Sequence, residues 1–278
     1  MSDHYLEQIK KQEVPVITFE KLSNIPFLKH GFSTRLGGVS EGIFSSLNLS
    51  FNRGDSREHV MENYRRIAKA VGFELNHLVL SAQTHTTNVK LVTKKDCGNG
   101  IIRKNAFADV DGLITADENV VLATSFADCV PLYFVDVKNK AIGLSHSGWR
   151  GTVNRMGEVT IQRMQEEFGT DPKDLICAIG PSICQDCYEV DDIVIQEFQK
   201  NFSSRDCEEI YYQTEIGKYR LNLWKANELV LAEAGVRPEH IENRKICTCC
   251  NRDLLFSHRG LNGKRGNLSA FLYKIPIK

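Results

Sequence analysis

Residues 126–136 read Phe126-Ala-Asp-Cys-Val-Pro-Leu-Tyr-Phe-Val-Asp136; after Val137-Lys-Asn-Lys140 the chain resumes as Ala141-Ile-Gly-Leu-Ser-His-Ser-Gly-Trp-Arg-Gly-Thr152. Residues 130–136 and 141–145 are apolar, β-branched or aromatic runs separated by the polar residues 138–140, the pattern of a β-hairpin. Antiparallel pairing across that turn sets the start of one strand beside the end of the other. Cys129 and His146 therefore share the open end of the hairpin. A thiol and an imidazole held together by a rigid element make either a metal site or a nucleophile with its base.

Working outward, residues 120–125 form a near-continuous apolar strand running into Asp128-Cys129, and Asp109-Val-Asp-Gly112 precedes a short strand at 113–115. Residues 78–82 read as a strand ending at Gln83-Thr-His-Thr-Thr87, and 88–93 as another, so His85 also lies on a connection between strands. Upstream, 55–71 reads as a helix with Val60, Tyr64, Ile67, Ala68 and Val71 on one face, Asp55 or Ser56 as its cap and Gly72 as its stop. Residues 1–28 read as an edge strand and its lead-in, followed by the Gly/Ser loop His30-Gly-Phe-Ser-Thr-Arg-Leu-Gly-Gly-Val-Ser-Glu-Gly42, where Arg35 is placed to meet an anion. Downstream, the pattern predicts a helix over 152–168, a buried strand at 175–179, a helix ending near Lys200, a hairpin from 210–212 and 218–221, a helix over 223–234, and a last strand at 268–275. The expected class is α+β: a single domain spanning 1–278 with mixed sheets covered by helices.

The chain has 278 residues with 35 Lys+Arg and 35 Asp+Glu, a formal net charge of zero, which argues against nucleic acid or an anionic membrane surface as its main partner. No stretch approaches a membrane span and the first thirty residues hold no apolar signal core, so a soluble, cytoplasmic protein is expected. Nine cysteines, an odd number, then suggest metal binding or catalysis rather than a disulfide framework.

His85, Cys129 and His146 offer three zinc ligands and leave a fourth position for water or substrate, a catalytic rather than a closed structural set. The thiolate offsets one of zinc's two charges, and the remaining charge acidifies bound water. The bland alternative is two hydrogen-bonded histidines and a buried thiol. A second constellation, Cys184-x-x-Cys187 with Cys247-x-Cys249-Cys250 and His258, could be a closed structural zinc site or packed thiols. Ser147-Gly-Trp-Arg-Gly-Thr152 lies where a strand gives way to a helix; its free N–H groups favour an anion, Gly151 permits close approach, and Arg150 adds a forked positive charge. Neither nucleotide-binding glycine fingerprint occurs.

Taken together, His30-Gly-Phe-Ser-Thr-Arg35 with Gly37-Gly-Val-Ser40, Ser46-Leu-Asn-Leu49, Gln83-Thr-His85, Ala127-Asp-Cys-Val-Pro131, His146-Ser-Gly-Trp-Arg-Gly151, Ile179-Gly-Pro181 and Cys187-Tyr-Glu-Val190 closely resemble the laccase-domain family, once called polyphenol oxidases and now regarded as purine nucleoside phosphorylases. The resemblance runs from about His30 to the final strand. It implies a four-layer α/β/β/α sandwich, phosphorolysis of adenosine, inosine, guanosine and methylthioadenosine, and deamination of adenosine. It also implies zinc on His85, Cys129 and His146 and sets Arg35, Asn48 and Arg150 along the same cleft; beside this, Asp128, next to a ligand, is expected as a proton-transfer candidate, and Arg35, Asn48, Gln83, Arg150 and Gly151 as substrate and phosphate contacts. One departure is Gly263-Lys-Arg-Gly266, where the family usually reads Thr-Gly-Arg. Multicopper chemistry needs clusters of His-x-His pairs, and eight histidines here form none, which leaves copper only as an adventitious occupant. Two rivals stand beside the zinc enzyme. One is a metal-free cysteine hydrolase using Cys129 and His146; the other is a non-enzymatic zinc-binding protein.

Overall fold

The computed structural model describes residues 2–276. The central hairpin forms as its pattern requires: Val130–Asp136 pairs antiparallel with Ala141–Ser147, with Pro131 opposite His146 and Asp136 opposite Ala141. All fourteen residues of the two strands are buried, which explains why they read as continuous apolar runs rather than alternating ones.

This hairpin is the middle of a six-stranded sheet ordered Ile241–Asn243, Leu175–Ile179, Val130–Asp136, Ala141–Ser147, Gly112–Thr115 and Val89–Leu91, antiparallel in its centre and parallel at both edges. A five-stranded sheet, ordered Val16–Ile17, Leu28–Ser33, Leu268–Lys274, Val121–Phe126 and Leu78–Leu80, lies against it. Phe32, Leu122, Phe126 and Leu272 of the smaller sheet and Leu113, Tyr133, Val135 and Leu144 of the larger one form one buried core between the two. The other face of the five-stranded sheet packs Leu78, Val121 and Phe271 on Val60, Tyr64 and Ile67 of the helix Arg57–Val71. The other face of the six-stranded sheet packs Leu132, Phe134 and Ile179 on the helices Met156–Phe168, Asp192–Asn201 and Leu223–Glu233. The fold is therefore mixed α/β with mixed sheets. A small antiparallel sheet of Glu189–Asp191, Lys218–Leu221 and Tyr211–Glu215 completes it. No helix among the described residues is long and apolar enough to cross a membrane.

Ser56 accepts from the His59 N–H to cap the helix expected there, and Gly72 ends it in the left-handed conformation (φ 91°). Two expectations are corrected. Residues Ser2–Ile9 form a helix rather than the lead-in to a strand, because Leu6 and Ile9, three apart, bury one face of it. The helix expected over 152–168 is two, Trp149–Val153 and Met156–Phe168, broken at Arg155 (φ 61°), whose guanidinium is held by Glu158 and Glu233.

Candidate active site at the junction of the two sheets

The chain crosses between the two large sheets three times at one end, residues 244–267 making the third crossing. Residues 81–88 lead from Leu78–Leu80 to Val89–Leu91, and residues 127–129 lead from Val121–Phe126 to Val130–Asp136. The first crossing carries His85 and the second Cys129, while His146 sits one residue from the end of its strand. The ligand atoms of His85, Cys129 and His146 all lie within 4.8 Å of one another. The two imidazoles meet edge to face, centroids 4.9 Å apart. Cys129 and His146 meet because the hairpin register demands it; His85 joins them because a third side chain folds its loop inward.

That side chain is Asp111. It is fully buried, one Oδ1 accepting from His146 Nδ1 (2.8 Å) and from the His85 N–H (3.1 Å). Its Oδ2 accepts from the Thr84 and Thr86 N–H groups (both 3.0 Å) and the Thr86 hydroxyl (3.0 Å). Three successive backbone N–H groups thus converge on one carboxylate, and His85 takes a left-handed φ of 65° to make this possible. Such a conformation costs about 1–3 kcal/mol in a non-glycine residue and persists where surroundings fix it. Burial pushes the Asp111 carboxyl up, but the His146 hydrogen bond and the Thr84 and Thr86 amides outweigh it and hold the group at about 2. An ionised carboxylate only accepts, so His146 keeps a proton on Nδ1, which leaves Nε2, on the side of Cys129, as the nitrogen a cation would take. Burial pulls the His146 pKa down, yet the Cys129 sulfur and Asp111 together raise it to about 9 when no cation shares the site. His85 shifts down, through burial first and then the charge on His146.

Two imidazole nitrogens and a thiolate fit one borderline-soft cation with an open position. Gly148 supports that fit. A Cβ there would lie 2.9 Å from His85 Nδ1 and 3.0 Å from Cys129 Sγ, although its backbone (φ −72°, ψ −179°) is ordinary for any residue. The absent side chain leaves room for the trio.

The trio stands where two cavities meet. A cavity of about 680 Å³ is lined by Arg53, Gln83, Asp109, Phe126, Arg265 and Asn267 beside the trio. A smaller one of about 260 Å³ is lined by Trp149, Arg150, Tyr188, His258, Arg259 and Arg265. Arg265 borders both; burial, with Arg53 adding to it, lowers its guanidinium to about 10, so it stays charged at neutral pH, and its buried Nε has no partner among the described residues. Arg265 lies in the Gly263–Gly266 stretch that departs from the family pattern, and Arg53 lies in a loop with no motif of its own, so neither role is readable from local sequence.

The other expected contacts divide. Gln83 lines the larger cavity and pairs with Ser125 like a strand neighbour, donating to its carbonyl (2.8 Å) and accepting from its N–H (2.7 Å). Arg150 lines the smaller one, its guanidinium stacked 4.3 Å above Trp149. Gly151 is buried in the five-residue helix behind the trio. Arg35 is elsewhere: it donates to the Ser45 and Arg252 carbonyls (both 2.8 Å) and stacks on Phe256. Asn48 is fully buried and spends its amide on Ser50, Asp55 and Asn267. These two therefore brace the loops around the cleft instead of lining it. Asp128 lines the smaller cavity, but its oxygens accept from the Thr248 hydroxyl (2.6 Å) and the Arg259 N–H (2.7 Å), tying down residues 248–259. In the second constellation, Cys184, Cys187, Cys247 and Cys250 converge, whereas Cys249 stays outside the group and His258 belongs to the cleft.

The geometry has counterparts. The family described as multi-copper polyphenol oxidoreductase laccase matches residues 29–274. A Geobacillus stearothermophilus protein named purine nucleoside phosphorylase YlmD is 40% identical over 243 residues, 87% of this chain and 88% of that protein. A protein from an unknown prokaryotic organism, named adenosine deaminase RL5, is 33% identical over 246 residues, 87% of this chain and 93% of that one. The crystal structure of YlmD from Geobacillus stearothermophilus superposes with a TM-score of 0.86 at 38% identity, covering 91% of this chain and 93% of that one. On sequence and on fold alike, the chain belongs to this laccase-like family.

Proposed function

We propose that this chain is a zinc-dependent purine nucleoside phosphorylase, acting on adenosine, inosine, guanosine and methylthioadenosine, that also deaminates adenosine. One observation carries the reading: two histidines and a cysteine converge at the meeting point of two arginine-lined cavities, with Asp111 fixing the tautomer of one ligand. The names of the relatives speak of purine nucleosides and, for one of them, of adenosine, which supports the coarser part of this reading.

His85, Cys129 and His146 would hold the zinc. When bound, zinc would supply a positive charge that acidifies water and orients an attacking oxygen. Arg265, on the border of the two cavities, together with Arg53 or Arg150, provides fixed, forked cations suited to an inorganic phosphate. Asp109 lines the larger cavity with Oδ1 accepting from Thr84 Oγ1 (2.7 Å), which makes it the carboxylate placed to move a proton now that Asp128 is committed to Thr248 and Arg259. Phe126 and Trp149 offer apolar faces to a base.

The family description suggests copper and oxidation. The donor set argues against that chemistry: only one group mixing histidine and cysteine occurs among the described residues, and a multicopper enzyme needs several coupled centres. A second reading rests on the same geometry. Cys129, His146 and Asp111 are ordered as nucleophile, base and orienting carboxylate, the arrangement a metal-free thiol hydrolase uses. Incubating purified protein with adenosine, with and without phosphate, decides between them. Zinc chemistry gives adenine with ribose 1-phosphate only when phosphate is present, gives inosine in either case, and loses both in Cys129→Ala and after chelation. Turnover that survives chelation but not thiol alkylation would transfer the site to the hydrolase reading.

A further inference from the structure

Far along the chain from that trio, two short segments bring four thiols together. Residues 182–187 and 246–250 run side by side, with Ser182 bridging Cys247 in parallel register; the Thr248 N–H donates to the Ser182 carbonyl (3.1 Å) and the Ser182 N–H to the Ile246 carbonyl (3.2 Å). Each segment carries a Cys-x-x-Cys pair, Cys184 with Cys187 and Cys247 with Cys250. All four sulfurs lie within 4.8 Å of one another, with Cys187 and Cys250 3.5 Å apart and Cys184 and Cys250 3.9 Å apart.

Those separations decide between chemistries. A disulfide needs about 2.05 Å, and all four cysteines are free. Four thiolates at about 2.3 Å from one tetrahedral ion are about 3.8 Å from each other, which matches the short pairs. An iron–sulfur cluster interposes its inorganic core and would hold the sulfurs farther apart. Two backbone N–H groups already point at one sulfur: those of Cys184 (3.3 Å) and Cys250 (3.4 Å) donate to Cys247 Sγ. Hydrogen bonds of this kind stabilise a thiolate more than a thiol, and oriented partners of a ligand are half of what makes a metal site.

We infer that Cys184, Cys187, Cys247 and Cys250 hold a second zinc ion in a closed tetrathiolate site. With no open position it does no chemistry of its own. It clasps two segments that wall the cleft. The first leads into Tyr188 and, through Arg259, into the Cys187 and Glu189 carbonyls; the second carries Thr248, the partner of Asp128 next to Cys129. Zinc binding would release the protons of these thiols as they become thiolates.

Elemental analysis of the full chain, paired with zinc-edge X-ray absorption of Cys129→Ala, tests this apart from any turnover. Wild type should hold about two zinc ions per chain, and Cys129→Ala about one, surrounded by four sulfurs at about 2.3 Å. No zinc in Cys129→Ala, nitrogen or oxygen neighbours around it, or iron in its place would overturn the assignment. Thiol alkylation of wild type with mass mapping guards against a misfolded variant. The four cysteines should resist modification until a chelator strips the zinc, and equal labelling before and after would refute the site.

Discussion

Replacing Asp111 by asparagine keeps the shape of the side chain and removes its charge, and the consequence follows from the partners of each oxygen. The carboxylate accepts five hydrogen bonds from donors, three of them on Oδ2 and two on Oδ1. An amide has one accepting and one donating end. With the NH2 at the Oδ2 position, the Thr84 and Thr86 N–H groups both lose their acceptor, at about 1–3 kcal/mol each for a buried donor. With the NH2 at the Oδ1 position only the His85 N–H is orphaned, because the His146 ring can give up its Nδ1 proton and accept instead. The second arrangement is cheaper, so Asp111→Asn should fold, with a loss of about 1–3 kcal/mol in urea unfolding. Its cost falls on the metal. A neutral His146 accepting at Nδ1 carries its proton on Nε2, where the cation would bind, and the His85 loop loses part of what holds its left-handed turn. Zinc affinity at the trio should fall by at least the 10–100-fold typical of losing an orienting partner. Chelator competition on the purified variant reads this as one zinc fewer per chain than wild type at a chelator concentration that spares the wild-type trio. A variant that keeps wild-type zinc affinity would refute the view that Asp111 sets the His146 tautomer.

Gly148→Ala should fold normally, since its backbone suits alanine, yet lose affinity for zinc at the trio because Cβ would press on His85 Nδ1 and Cys129 Sγ; unchanged zinc affinity by competition would show that the neighbours yield freely. Arg265→Gln should raise the KM for phosphate at least tenfold with a smaller change in kcat, and steady-state kinetics with equal phosphate KM would remove Arg265 from the phosphate site. Asp109→Asn should slow deamination by about 10²–10⁴-fold while leaving zinc content at the wild-type level, and inosine formation from adenosine at the wild-type rate would contradict the proton-transfer role. His30 is buried and accepts from the Phe19 N–H (2.8 Å); burial, and next the charge on Arg244, lowers its pKa to about 4. The unfolded chain takes up this proton at about pH 6.5, so stability is complete above that value and is lost as pH falls toward 4, by about 3 kcal/mol from this residue. Urea unfolding between pH 7 and 4 should show that slope in wild type and a flatter one in His30→Gln; identical slopes would refute it.

Legibility in the sequence followed the range of the interactions. The hairpin at 130–147 was readable because turn and strand signals lie within twenty residues, and Cys129 with His146 follow from its register. His85 was reachable as a residue at a strand end. Asp111 does not stand out within Asp109-Val-Asp-Gly112, because its importance comes from residues 84–86 and 146, which only the folded sheets bring to it. Gly148 reads as a helix cap until the sulfur and imidazole beside it are placed. Conversely, Arg35 and Asn48 carry the polarity of ligand contacts but spend it on neighbouring backbone, something no local pattern reveals. The four-thiol group was visible as two cysteine-rich segments. The choice of Cys250 over Cys249, and the exclusion of His258, needed the parallel pairing of Ser182 with Cys247.

Zinc reconstitution tests the central claim most directly. Protein stripped of metal is titrated with zinc or copper in the presence of inosine and phosphate, and hypoxanthine and ribose 1-phosphate are followed together with oxygen consumption. Phosphate-dependent base release that returns in step with the zinc bound by His85, Cys129 and His146, without oxygen uptake, is the expected result. Full activity in the stripped protein, or activity restored by copper alone with oxygen consumed, would contradict it.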